Sequence, residues 1–277
     1  MLGDIALARR CCEAALAAQP DHLGSHNLMV RLALPGAYYT DVLAAIQRHL
    51  LPRTYLEIGV ASGKSIVLAG ENTAAIGVDP APEIERPLGA HVKLFKLTSD
   101  EFFRRHDVVA EFGGQSVDLA FIDGMHRFEF ALRDFAAIER HCTPRSIVLI
   151  HDCYPLDRRT AERDRITTFW SGDIWRLVLA LKKYRPDLEI RTIATPPTGL
   201  TLIRRLNPNS RILAEQMDRI VAELLALALI SEASDVVYAG VMFVNPCVML
   251  ELIVRAFEPF VKVIPVPWVN VFRVTPD

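Results

Sequence analysis

The chain has 277 residues, 51% of them hydrophobic, with a formal net charge of −2. This allows one large α/β domain with extensions, or two small domains, and excludes general disorder. The near-neutral balance leaves no electrostatic case for nucleic acid as a main partner.

In chain order, Met1 to Arg10 does not read as a secretory signal, because Arg9 and Arg10 follow the first apolar residues instead of preceding them. Ile5 to Ala18 has helical spacing and stops at Gln19-Pro20-Asp21. Leu34 to Tyr39, with Pro35-Gly36, reads as a turn. Asp41 to Leu50 reads as a second helix, stopped by Pro52. Residues 1–50 are thus expected to form a helical cap. From residue 54 the pattern changes to short apolar runs alternating with helices. Strands are expected at Thr54–Val60, Ala74–Val78, His91–Leu97, Val117–Ile122 and Ser146–Ile150. Helices are expected from Ser65, over Asp100–Glu111 and over Phe128–His141. Leu188–Ile193 and Gly199–Arg204 are two further strands. Their link is too short for a helical crossover, so they pair antiparallel. The expected fold is α/β and doubly wound, a mostly parallel seven-stranded sheet ending in an antiparallel hairpin.

The end of the chain is less readable. Residues 210 to 229 are helical in pattern. Val236 to Val254 is almost uncharged, but Asn245-Pro246 interrupts it, which favours a buried element over a membrane span. Residues 207–277 are read as an apolar, mainly helical extension that packs on the domain or forms a homodimer surface. The cysteines Cys11, Cys12, Cys142, Cys153 and Cys247 are odd in number and lack metal-site spacing, so free thiols in a reducing cytoplasm are expected.

Glu57-Ile-Gly59-Val-Ala61-Ser-Gly63-Lys-Ser65 follows a strand and should bend the chain tightly against a ligand. It is one residue short of a phosphate-binding P-loop, and Ala61 stands where a dinucleotide fingerprint has its middle glycine. Glu57 would lie close to a pyrophosphate, whereas a cofactor with a cationic end suits it. Asp79 ends the second strand, where a carboxylate can accept from ribose hydroxyls. Two other strand ends stand out: Phe121-Ile122-Asp123-Gly124-Met125-His126 and Ile150-His151-Asp152-Cys153. If these strands are parallel neighbours, two carboxylates and two imidazoles meet in one small volume.

With these motifs, residues 36 to 206 resemble the class I S-adenosylmethionine-dependent methyltransferases. Within them the chain looks most like the metal-assisted O-methyltransferases of catechols and antibiotic sugars. The resemblance implies a methyltransferase domain over residues 51–206 that binds S-adenosylmethionine. It implies contacts to the cofactor from Glu57, Gly59, Gly63, Ser65, Asp79, Ser99 and Asp100. Asp123, His151 and Asp152 match the metal positions, for a divalent cation such as magnesium or manganese, and His126 matches a general base. His151 departs from the family's oxygen ligands, because imidazole favours softer ions than magnesium. The implied reaction is transfer of a methyl group to a hydroxyl of a small molecule or sugar. The rivals are an N-methyltransferase, a non-catalytic cofactor-binding module of a glycan or secondary-metabolite system, and a nicotinamide dehydrogenase, which Glu57 and Ala61 disfavour. Trp170 and Trp175 stand where an acceptor loop would lie, with ring stacking and core packing both open. Tyr38 and Tyr39 precede the second cap helix, where closure over the cofactor and packing are likewise both open. Arg133 and Asp134 read as a charged helix face.

Overall fold

The structure, a computed structural model, describes residues 2–34 and 36–226 and the backbone of residues 243–244. Three helices come first: α1 (Leu2–Ala18), α2 (Leu23–Ala33) and α3 (Tyr39–Leu50). α2 leaves little signal in the sequence, because its cap is an uncommon one. His22 accepts from the Ser25 amide where Ser or Asp usually would. α3 begins earlier than expected, since the Asp41 carboxylate reaches back to the Tyr38 amide.

The strands are β1 (Thr54–Ile58), β2 (Ala74–Val78), β3 (Val92–Phe95), β4 (Val117–Ile122), β5 (Cys142–His151), β6 (Glu189–Ile193) and β7 (Leu200–Arg204). A two-residue β8 (Phe243–Val244) is added at the edge. Their order is β3-β2-β1-β4-β5-β7-β6-β8. β1 to β5 are mutually parallel, and β7 runs antiparallel to both β5 and β6. The seven expected strands and the terminal hairpin are all present. The sheet is covered on both faces. Leu43 and Ile46 of α3 pack on one side with Tyr55 and Phe121. Phe102, Phe128, Phe135 and Leu177 pack on the other with Leu56 and Ile122.

The helices between strands differ from expectation in three places. After β1 there is only a single 3₁₀ turn, Ile66–Leu68; Gly70 and the start of β2 leave no room for more. The helix expected over Asp100–Glu111 is split into α4 (Ser99–Arg105) and α5 (Val108–Glu111). The break falls at Asp107, whose side chain accepts from the amides of Val109 and Ala110 and so starts a new helix. α6 (Phe128–Glu139) lies behind β4. α7 (Trp175–Tyr184), not foreseen, follows the long segment after β5. Beyond β7 come α8 (Ile212–Glu215) and α9 (Met217–Ala226). Apart from the two residues of β8, the apolar stretch Val236 to Val254 lies outside the described residues. Among the described residues no helix is long and apolar enough to cross a membrane.

Register decides where the site forms. Ile58 pairs with Ile122, and Ile122 with Ile150, so β1, β4 and β5 end level. β1 is flanked by β2 and β4, which makes its end the point where strand order reverses, the usual ligand crevice of such sheets. Because β7 runs the other way, its first residue, Leu200, stands opposite His151. The β6–β7 turn therefore reaches the same rim.

Candidate active site

The turn after β1 is locked to the end of β4. Gly59 has φ +86°, and a Cβ there would lie 2.1 Å from the Asp123 carbonyl oxygen. The Asp123 amide in turn donates to the Ile58 carbonyl at 2.8 Å. Gly63 has φ +83°. Ala61, in the fingerprint's middle-glycine place, is held at φ +44°, a strained value for a residue with a Cβ.

Glu57 is fully buried. Ser65 and Tyr55 each donate a hydroxyl to it at 2.6 Å. Burial, against those two hydrogen bonds, pushes its carboxyl up to about 8. The Ser65 hydroxyl is occupied with Glu57. Both anchor the turn from beneath. Asp79 accepts from the amides of Val60 (2.9 Å) and Ala61 (2.8 Å) on one oxygen and of Ala81 (2.8 Å) on the other. It braces the turn and keeps lone pairs free for a further donor. Ser99 and Asp100 begin α4, capped by Thr98. Asp100 pairs with Arg133 at 3.4 Å. Asp134 is not on a charged helix face. It is only 4% exposed, and burial pushes its carboxyl up to about 7 even with the Ser99 hydroxyl donating to it.

The two strand-end motifs converge. His126 Nε2 lies 3.1 Å from Asp152 and 3.6 Å from Asp123. His151 Nδ1 lies 3.2 Å from Asp123 and 3.4 Å from Asp152. The Thr198 hydroxyl, from the β6–β7 turn, donates to the other Asp152 oxygen at 2.6 Å. Burial alone would raise the Asp123 carboxyl, but the flanking imidazoles hold it well below the usual carboxylate range. Burial alone would lower both histidines. The paired acids outweigh it, so His126 rises to about 9 and His151 to about 10. His126 and Asp152 sit at φ +46° and +60°, so three non-glycine residues around this rim are left-handed. Such strain persists only where surrounding contacts over-determine it.

Asp123, His126 and Asp152 offer ligand atoms all within 4.8 Å of one another. They line a hollow of about 10 Å³, room for one small occupant. This differs by one residue from the expected set, in which His151 completed the ligands. Here the His151 ring is packed under Tyr39, centroids 4.1 Å apart, and its Nε2 faces Thr198. A larger hollow of about 510 Å³ lies between the Ser62–Lys64 turn and the start of α3, with Tyr38 and Tyr39 in its wall, a size suited to a small organic molecule.

The segment from Cys153 to Asp173 is irregular and returns to the site. Trp170 stacks on His126, rings 5.3 Å apart, whereas Trp175 is buried and packs in the core. The cap grips this segment. Phe169 stacks on His26 of α2, and Asp21 accepts from both the amide and hydroxyl of Thr168. That contact had no signal in the sequence.

Residues 56–153 match the family model of a methyltransferase domain. The match contains the turn, Asp79 and both strand-end motifs. No curated protein matches the chain. Among solved structures, the chain is similar to the O-methyltransferase TomG of Streptomyces achromogenes, involved in tomaymycin synthesis and solved with SAM. The two are 15% identical, 61% of this chain and 80% of that one are covered, and the TM-score is 0.47. The SAH-bound methyltransferase PaMTH1 of Podospora anserina is 18% identical, with 68% and 89% covered and a TM-score of 0.47. An O-methyltransferase of Bacillus cereus in complex with SAH is 12% identical, with 72% and 90% covered and a TM-score of 0.44. Over residues 56–153 the expectation of a methyltransferase domain is borne out.

Proposed function

We propose that the protein is an S-adenosylmethionine-dependent O-methyltransferase acting on a hydroxyl of a small molecule or sugar. The observation that carries this reading is the gathering of Asp123, His126 and Asp152 at the rim where Gly59 touches Asp123. In it, residues 51–206 form the catalytic domain, while residues 1–50 and the segment after β5 frame the acceptor. Gly59, Gly63 and Asp79 face the cofactor, with Glu57 and Ser65 holding the turn beneath it and Ser99 and Asp100 toward the adenine.

Two carboxylates and one imidazole around a hollow of ion size fit a divalent cation, and the nitrogen donor favours manganese over magnesium. Asp123, Asp152 and His126 would hold it, with His151 oriented behind them. When bound, S-adenosylmethionine supplies an activated methyl group and a divalent ion lowers the pKa of the acceptor hydroxyl. The chain's own task is to hold the acceptor in line with the methyl group and take its proton. Where its Nε2 holds no ion, His126 is placed for the proton. Its Nδ1 faces the Trp170 carbonyl at 3.3 Å, which leaves Nε2 toward the carboxylates and the acceptor. A second reading, transfer without metal, is supported by the two imidazoles that already balance the two carboxylates.

Calorimetry with S-adenosylmethionine, with manganese, magnesium or chelator, tests both readings, together with a methyl-transfer assay over catechols and sugars. Binding with turnover that a chelator abolishes supports the metal-assisted reading. Turnover that survives the chelator supports the second. Binding without turnover on any hydroxyl favours a binding module, and transfer to amines alone favours an N-methyltransferase.

A further inference from the structure

The segment that ends at α7 grips His126 from several sides. The Trp170 carbonyl faces Nδ1, and the Trp170 ring lies against the imidazole. Gly172, at φ +65°, is pressed so close to the His126 carbonyl that a Cβ would sit 1.8 Å from its oxygen. The Asp173 amide donates to that same carbonyl at 3.3 Å. The Asp173 side chain is almost wholly buried and accepts from the Phe128 amide at 2.7 Å. It thereby caps α6, whose own cap position, Arg127, supplies no side-chain bond. Its second oxygen lies 3.3 Å from Arg163 and 3.5 Å from Arg176, and Arg163 also binds Glu129 of α6. Neither Asp123 nor His126 caps α6. That duty falls to an acid from 45 residues further along the chain.

We infer that Asp173 is a positioning residue for His126. Through it, seating of the segment between β5 and α7 and alignment of the base become one event. The inference rests on the methyltransferase reading for what His126 does, but the coupling itself is a matter of contacts. The Trp170 carbonyl at Nδ1 fixes the ring so that Nε2 faces the carboxylates. Left-handed His126 would relax if the bonds at its carbonyl and at Phe128 were lost, since nothing in its own backbone preference holds φ at +46°. The segment also carries Trp170 and is tied to the cap through Phe169 and Thr168. An acceptor that seats it would therefore tighten the base as well.

The test uses the full chain labelled with ¹⁵N-histidine, Asp173→Ala and Asp173→Asn, and S-adenosylhomocysteine as the probe. His126 imidazole signals are assigned with His126→Gln. In Asp173→Ala, exchange of the His126 Nδ1 proton is expected to speed up at least about tenfold, with the His151 signals in place and S-adenosylhomocysteine affinity within about twofold by calorimetry. Asp173→Asn keeps an acceptor for Phe128 and is expected to restore most of the protection. Unchanged His126 signals in Asp173→Ala overturn the inference. So does loss of His151 signals and cofactor affinity in parallel, which marks a merely structural role, and so does an Asn variant no better than Ala. If the wild type binds no S-adenosylhomocysteine while His126 responds as expected, the methyltransferase reading fails and the coupling stands.

Discussion

Two groups of buried charge sit in this fold, and they are built differently. At one end of α6, Arg185 is fully buried, with two bonds to Glu139 (2.5 and 2.9 Å) and two to Asp187 (2.9 and 2.8 Å). Glu139 also accepts from the Asn207 amide. The cation is permanent and the fork is matched by planar acids. This cluster ties α6, the end of α7, the approach to β6 and the chain after β7 together. At the other end of α6, Asp123 and Asp152 are answered by imidazoles, cations that can be unmade by losing a proton. The backbone there is left-handed at His126 and Asp152. The structural cluster uses a charge that cannot change. The candidate active site uses charges that can change.

That contrast can be broken or sharpened by substitution. The largest expected effect is on turnover. His126→Ala should lower it by about 10²–10⁴-fold, the usual worth of a positioned base. S-adenosylmethionine affinity should stay within about twofold, and near-normal turnover would remove His126 as base. Next is stability: Arg185→Ala should cost about 3–5 kcal/mol in denaturant unfolding, by leaving Glu139 buried without its cation. The folded fraction should still bind cofactor normally, and a loss below about 1 kcal/mol would show that water replaces the guanidinium. Gly59→Ala should cost at least about 2 kcal/mol and cofactor binding with it, because its Cβ collides with the Asp123 carbonyl.

The smallest effect is a pH dependence. The folded-state carboxyl of Glu57 lies at about 8, above its ordinary value of 4.5. Its contribution to stability is therefore fully present below the lower value and is lost as pH rises through the upper one. Glu57→Gln should shrink the difference in melting temperature between about pH 5 and about pH 8.5. An unchanged difference would mean that other groups set it.

Much of the fold was legible because apolar runs ended in acids at matching places. Asp79, Asp123 and Asp152 all fall where a strand stops, and the short link before Gly199 forced an antiparallel pair. Local competition hid other elements. Asp107 could cap a new helix or continue an old one, and His22 is a rare cap for α2. The strand-end residues were legible as neighbours but not in their states. Glu57 reads as a ready charge in sequence, and in the fold burial pushes its carboxyl upward. Asp134 follows Arg133 as a surface pair would, yet α6 turns it inward. Which imidazole joins Asp123 and Asp152 depends on a left-handed residue at 126 and on Tyr39 over His151. Neither leaves a spacing signal.

The reversed direction of β7 has a consequence for where this chain tolerates being cut or lengthened. In an all-parallel arrangement the joint before β7 would lie far from the working edge, an easy place for new termini or a fused tag. Here that joint delivers Thr198 to Asp152. An insertion between residues 194 and 199 should therefore disturb the chemistry, while one at Glu71–Asn72, exposed between β1 and β2, should leave it alone.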